Sequence, residues 1–570
     1  MSTHARPLAV WLAAASDAQL AELFAARGVR EDVAWADFFD AAEALLEPVS
    51  IERMLPRLTL PEAQALRRAV DGETAGAQTA PLIALALLRP DGTPAPPVAE
   101  IAGARPAPAS APAAQASAAE ERSSARAAER AFTTVAAVAD LVLLAAESPL
   151  ALLASGGLAA GEKRRIAETG TPSEVVDDLA AIGIDAGILA MGERRLHSTS
   201  AADEWLRVSA SIRWATLVEA LRARLPRGLR TPAGGWLPVP QWPYQYPWDP
   251  TWARHSTAIQ ARAELLGLIT ADDAEPEWAV PLRLGEPADP SALARMLPAE
   301  VDRIFLQNDL TAIAPGPLEP ALDVRLRAIA GRESTAQASS YRFTAESIAR
   351  ALTTGETAAS ILDFLGGISL TGIPQPLEYL VMQTDQRHGL VRVFTDSASG
   401  GTRVTSADTT LLDAMGVDQS LRPLALRRDA DGLSTRVGRD TVYWTLSDAR
   451  YPAMIVGSDG EPLVVDRNPA PVPSPPVPAD YSALIARLRA RQGPDADAAW
   501  LDRELDAAVR SKAVVLVEIE MPDGSTRELQ LEASGLGGGR LRGRDRAADV
   551  ERTLPVRSIR SARVIDPAAG

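Results

Sequence analysis

Two lysines decide what this 570-residue chain can do with a nucleoside triphosphate. A phosphate-binding loop requires G-x-x-x-x-G-K-[S/T], because its lysine reaches the β- and γ-phosphates and its hydroxyl binds magnesium. Lys163 lies between Glu162 and Arg164, and Lys512 between Ser511 and Ala513. Neither fits that frame, so the chain is expected to be non-enzymatic, with no ATP-driven motor of its own. The four histidines (His4, His197, His255 and His388) are far apart and form no H-E-x-x-H pair, and no G-x-S-x-G elbow is present. With no cysteine, the chain has no disulfides, thiolate chemistry or cysteine-based zinc sites. Asp429-Ala430-Asp431-Gly432 opens like a calcium loop but lacks the later ligands and the closing Glu, so it reads as a turn. His388, just before Gly389, is expected at a helix C-terminus, where its positive charge would be favoured. No catalytic residue, cofactor or metal is expected.

The chemistry that remains is charge. The net charge is −16, which argues against a nucleic-acid footprint over the whole chain. A local patch of opposite sign lies near the C-terminus. Arg540, Arg542, Arg544, Arg546, Arg557 and Arg560 are the candidate nucleic-acid-binding residues. Alternate residues of a strand share one face, so Arg540, Arg542 and Arg544 should project together as a guanidinium row suited to phosphate. The other reading is an arginine-rich surface neutralised by acidic parts of the same chain.

The elements that must carry this patch follow from composition and periodicity. The expected architecture is multidomain α+β, because a single core stops growing near ~250–300 residues. Residues 1–100 read as a helical domain, with Asp32 as a cap for the run Val33–Leu46 and an acidic face of Asp37, Asp40, Glu43 and Glu47. Residues 101–128, rich in Ala, Pro and Ser, read as a disordered linker. Residues 129–228 have the order of a winged helix (helices, then a hairpin near Gly187–His197), with Ser200 and Asp203 at capping-box spacing for the next helix. Its candidate recognition segment, Pro172–Ile182, is acidic. Residues 229–298 read as a second helical, winged-helix-like region, with a helix pair over 251–268. Before it, the Trp/Tyr/Pro-rich stretch 231–253 holds no Lys or Arg, so it reads as a loop clamped on the surface rather than a base-stacking element. Residues 299–467 form an α/β domain, 468–478 a proline-rich linker, and 479–570 a helix pair followed by a small SH3- or Sm-like β-barrel with a turn at Pro522-Asp523-Gly524.

Within 301–394 the residues are legible in detail. Ile304–Leu306 and Thr311–Ala314 read as short strands. Thr344 and Thr357 read as helix caps, with the second helix stopping at Gly366-Gly367. Pro376 falls at a tolerated first-turn position, and Leu390–Phe394 returns as a strand. Further strands are expected at Arg422–Arg427, Thr441–Leu446 and Ala453–Ile455. The string from Gln307-Asn308-Asp309-Leu310-Thr311-Ala312 through Tyr341-Arg342-Phe343-Thr344, Leu362-Asp363-Phe364-Leu365, Pro374-Gln375-Pro376-Leu377 and Arg387-His388-Gly389 resembles the N-terminal domain of bacterial XPB-type helicases. It is closer still to actinobacterial helicase-associated proteins that carry this domain without a motor. The C-terminal strands resemble a WYL domain, although Arg540-Leu541-Arg542 stands about where the naming tripeptide should be. These resemblances imply a non-catalytic accessory protein of DNA repair or remodelling, with DNA and an XPB-type helicase or a repair nuclease as partners. A ligand-sensing regulator and a pure protein scaffold are the alternatives. No apolar run approaches the ~20 residues that span a bilayer, and a cytoplasmic protein is expected.

Overall fold

The computed structural model describes residues 5–168, 170–335, 339–396, 400–457, 460–463, 479–492, 496–521 and 525–565. It is a mixed α+β, multidomain structure with four separate sheets among the described residues. The expected linker at 468–478 and the turn at Pro522–Gly524 lie outside these residues.

From Ala5–Ala14 to Pro96–Gly103 the chain is helical. Asp37, not Asp32, caps the helix Phe38–Leu46, accepting from Phe39 N at 3.0 Å and Asp40 N at 3.1 Å. A capping carboxylate must stand next to the first turn. Asp32 is too far upstream and pairs with Arg30 instead. The Ala/Pro/Ser stretch, expected to be disordered, lies against the body of the protein. Trp248 Nε1 donates to Pro106 O at 2.9 Å, Gln241 reaches the carbonyls of Pro112 and Ala114, and Ala119 N donates to Glu275 O at 2.8 Å. Proline-rich backbone offers more acceptors than donors, and here side-chain donors meet several of those acceptors.

The long helix Glu121–Glu147 begins inside that stretch. It is followed by β1 (Leu150–Ala151), helices Ala160–Ala167 and Val176–Asp185, and the hairpin β2 (Leu189–Gly192) and β3 (Arg195–Ser198), with sheet order β1-β3-β2. Ser200 makes no capping box; its backbone is already helical (φ −61°, ψ −27°) and its side chain makes no cap bond. Residues 251–268 hold one helix, Trp252–Leu265, not two. A single buried cluster runs from Ala127 to Leu293 and crosses position 228 without a break. The aromatic stretch belongs to it. Trp236, Trp242 and Trp252 are buried, and the Trp242 and Trp252 indoles donate to Leu237 O and Trp242 O.

Next come β4 (Phe305–Leu306), β5 (Thr311–Ala314), β6 (Gly331–Thr335) and β7 (Ser339–Arg342), ordered β4-β5-β7-β6, with helices Pro320–Ile329, Ala345–Thr353, Ala358–Ile368 and Gln375–Arg387. Thr344 and Thr357 cap two of these helices, in reciprocal pairs with Ser347 and Ser360. The second helix runs through Gly366-Gly367 and ends at Ile368, which is buried. A second sheet contains β8 (Val391–Thr395), β9 (Thr402–Ser406), β10 (Arg427–Asp429), β11 (Gly432–Thr435) and β12 (Ala453–Ile455). Its order is β10-β11-β9-β8-β12, with β12 parallel to β8. Two expected strands are absent. Gln419–Leu424 is a 3-10 helix capped by Asp418, and Arg439–Asp448 is an α-helix. Thr441–Thr445 is β-branched and aromatic, but Val442, Tyr443 and Leu446 pack onto the sheet at helical spacing, and tertiary burial outweighs propensity.

After Ser482–Ala490 and Ala496–Ser511 come β13 (Val514–Glu520), β14 (Thr526–Gly537), β15 (Arg540–Asp545), β16 (Val550–Pro555) and β17 (Ile559–Ile565). The order is β16-β15-β14-β13-β17. The expected barrel is not closed, because β16 and β17 form the two edges and share no ladder among the described residues. Leu501, Leu505 and Ala508 of the preceding helix fill the inner face instead, sharing a core with Val517, Leu531 and Leu541.

Candidate nucleic-acid interface

Burial along β15 alternates strictly: Arg540, Arg542 and Arg544 are exposed, while Leu541, Gly543 and Asp545 are buried. Gly543 is required here, since a Cβ would meet Glu532 O at 2.8 Å. The three arginines therefore share the outer face, as the spacing predicts. Their cross-strand neighbours set how open the row is. Arg540 lies between Gly537 and Pro555, and Arg542 between Gly535 and Thr553. Arg544 lies between Glu532 and Glu551 and pairs with Asp549 at 2.7 Å; the hydrogen bond to Asp549, then its charge, raises the pKa of the guanidinium.

The other candidates divide in the same way. Arg560 pairs with Glu520 at 3.1 Å, and that hydrogen bond raises its pKa. Arg546 follows β15 and Arg557 sits in the short turn after β16; both are exposed. Among the described residues, no ion pair holds Arg540, Arg542, Arg546 or Arg557. Arg552 turns inward to the buried Asp545 at 2.6 Å and lowers its pKa, so it is a structural cation. The row thus has an open end at Arg540 and Arg542 and a neutralised end at Arg544. On the same face, Glu532 of β14 stands level with Arg544, and Glu528 with its cross-strand partner Glu518 lies farther along, beyond the Arg544 end of the row, so carboxylates flank that end and not Arg540 or Arg542.

The acidic helix Val176–Asp185 is not free to read a groove. Asp177 accepts from Leu158 N at 3.0 Å and pairs with Lys163 at 2.5 Å, and Asp178 pairs with Arg262 at 3.1 Å. Helices Ala210–Arg224 and Trp252–Leu265 pack against it. Of the acidic face read at residues 37–47, Asp37 and Asp40 are engaged within the chain, pairing with Arg503 at 3.0 and 3.2 Å. Asp429 ends β10 at the turn to β11 and pairs with Arg403, and no metal-binding cluster occurs among the described residues. His388 caps the C-terminus of the helix Gln375–Arg387, as expected, but its surroundings oppose a positive charge there. It is half-buried, with Nε2 3.3 Å from Thr353 Oγ1, and burial lowers its pKa against the smaller opposing effect of Asp385.

One cluster is invisible in the sequence. Asp140 of the long helix is buried, pairs with Arg327 at 2.8 Å and also pairs with Arg332. Beside it, Tyr341 donates to Asp323 at 2.6 Å; burial first, then the Asp323 charge, pushes the phenol well above its ordinary pKa. The partners are almost two hundred residues apart and follow no local motif. The cluster joins the unit ending at Leu293 to the α/β unit that follows.

Residues 304–430 match the helicase conserved C-terminal domain, a known family. The match takes in the β4-β5-β7-β6 sheet and its helices, and ends in the turn between β10 and β11. The chain thus carries a helicase C-terminal-type domain, over a minor part of its length. No curated protein matches the chain. No helix among the described residues is long and apolar enough to cross a membrane.

Proposed function

We propose that this chain is a non-catalytic, helicase-associated accessory protein that binds DNA during repair or remodelling. The observation that carries this reading is the helicase C-terminal-type match over 304–430. An XPB-type domain at 299–467 agrees with its two α/β sheets and with the motif string from Gln307 to Gly389. The helix–strand–helix–helix–hairpin order of 121–198 supports a winged-helix reading, used for packing rather than base readout because its third helix is covered. A non-motor role is supported by the contexts of Lys163 and Lys512. Arg540, Arg542, Arg546 and Arg557 supply the phosphate contacts, and the WYL-like strands serve as their platform.

The test is electrophoretic mobility shift with forked and single-stranded DNA over a salt series. Changing Arg540, Arg542 and Arg544 together to Ala should weaken binding. It should also flatten the dependence of log affinity on log salt by about 0.7–0.9 per lost phosphate contact. Arg544, already paired, should contribute least. An unchanged slope rejects the patch. A second reading, a protein-interaction scaffold, is favoured by the carboxylates at the Arg544 end of the row and the net charge of −16. It predicts capture of an XPB-type helicase by a chain that shifts no DNA.

A further inference from the structure

Among the described residues, the helices that pack on the sheet β10-β11-β9-β8-β12 lie on one side of it. Helices Thr409–Val417 and Arg439–Asp448 both pack under it, and Val391, Val393, Val404, Leu433 and Ile455 point into that core. Strand alternation turns the intervening residues to the other face. The register places Phe394 opposite Arg403, Arg403 opposite Ser434, and Ser434 opposite Arg427, in one row across four strands. Arg392 stands two residues before Phe394 and opposite Thr405.

Phe394 is half-buried and takes no part in the hydrophobic cluster beneath the sheet. A phenyl ring outside the core, on an open face, does not strengthen that core. Around it are three guanidiniums. Arg392 and Arg427 are exposed, and no ion pair holds either among the described residues. Arg403 pairs with Asp429 at 3.1 Å and with Asp431 at 4.0 Å, and Asp396 also acts on it. The carboxylates therefore gather on Arg403 and leave the flanking cations unneutralised.

We propose that this open sheet face binds single-stranded nucleic acid, with Phe394 stacking on an unpaired base and Arg392 and Arg427 contacting phosphates. Base faces are accessible only when unpaired, and an aromatic ring on an exposed sheet is a stacking platform for them. Neighbouring strands lie about 4.8 Å apart, so Arg427, three strands from Phe394, stands about 14 Å away along the row. That exceeds one stacked step of about 3.4 Å, so the two cations contact different nucleotides. Thr405 and Ser434 add hydroxyls between them. The site lies on a different sheet from the β15 arginines and does not depend on them.

The experiment is fluorescence anisotropy with a labelled oligo-dT strand, using the full chain already carrying Arg540→Ala, Arg542→Ala and Arg544→Ala. That background separates this site from the β15 patch, whichever way the patch is decided. Phe394→Ala should weaken binding about tenfold, the loss of one stacked base. Phe394→Tyr keeps the ring and should bind like its parent. Arg392→Ala with Arg427→Ala should weaken binding and flatten the salt slope by about 1.4, at about 0.7 per single-strand contact. Near-UV circular dichroism reports whether each variant is folded. Equal binding by Phe394→Ala, no binding by the parent, or duplex binding as tight as single-strand binding would each overturn the proposal.

Discussion

Asp140 shows what a single side chain does for this chain. Its carboxylate lies between Arg327 and Arg332, and all three side chains are largely buried. Removing one partner of such a cluster leaves the others as uncompensated buried charges, at a cost of about 3–5 kcal/mol. Asp323, 3.6 Å from Arg327, softens that loss. Asp140→Asn is therefore expected near the low end, about 3 kcal/mol, read as a lowered thermal midpoint. His388 gives a pH signature. Burial holds its folded-state pKa below 6.5, so the unfolded chain takes up the proton first as pH falls. Its contribution to stability is complete above pH 6.5 and is lost as pH falls through the folded value. His388→Gln should flatten the acid side of the stability–pH curve between those two values; an unchanged slope would remove His388 as the cause. Neither residue was legible in advance. Asp140 has partners set by chain folding, and His388 read as a favourable helix-end charge because its burial against Thr353 follows from packing.

At the scale of elements, legibility tracked how local the cause was. Thr344 and Thr357 could be read as caps because the donors they accept from lie three residues away, at Ser347 and Ser360. The outward row of Arg540, Arg542 and Arg544 was legible from strand alternation. Ser200 had capping spacing but lies in helical backbone, which turns its hydroxyl from the task. Residues 441–446 have strand composition, yet the core beneath the sheet makes them a helix. Barrel closure could not be read either, because the filler, helix Ala496–Ser511, covers the inner face only once folded. The two serine/threonine cases give a paired prediction. Thr357→Ala should cost about 1 kcal/mol. Ser200→Ala should stay within about 0.5 kcal/mol, as for an ordinary surface change. Equal effects in urea unfolding would contradict the cap assignments.

At the scale of the whole molecule, the chain closes on itself. Tyr481, Leu484, Ile485, Leu488 and Trp500 enter the core formed by the first helices, hundreds of residues earlier. Two arginines fasten that contact. Arg489 pairs with Asp17 at 3.0 Å and lies over the Phe38 ring at 5.2 Å; Arg503 pairs with Asp37 and Asp40 and lies over the Phe39 ring at 5.6 Å. Two carboxylates of the acidic helix face that could have served a basic partner, Asp37 and Asp40, are thus used to hold the C-terminal module, and the β13–β17 sheet is held to the N-terminal helices through the helix that fills its inner face. Exposed ion pairs contribute little singly, about 0–1 kcal/mol, but both arginines also lie over rings, and Arg489 donates to the carbonyls of Ala13 and Ala15. Changing both arginines to Ala should weaken the docking more than the fold of either part. The apolar contacts of Tyr481 and Leu488 remain, so the module should stay folded while its coupling to the first helices falls. Calorimetry should then resolve a separate, earlier transition where the parent shows the two parts melting together. A single transition, merely shifted, would mean that the apolar contacts alone hold the ends of the chain together.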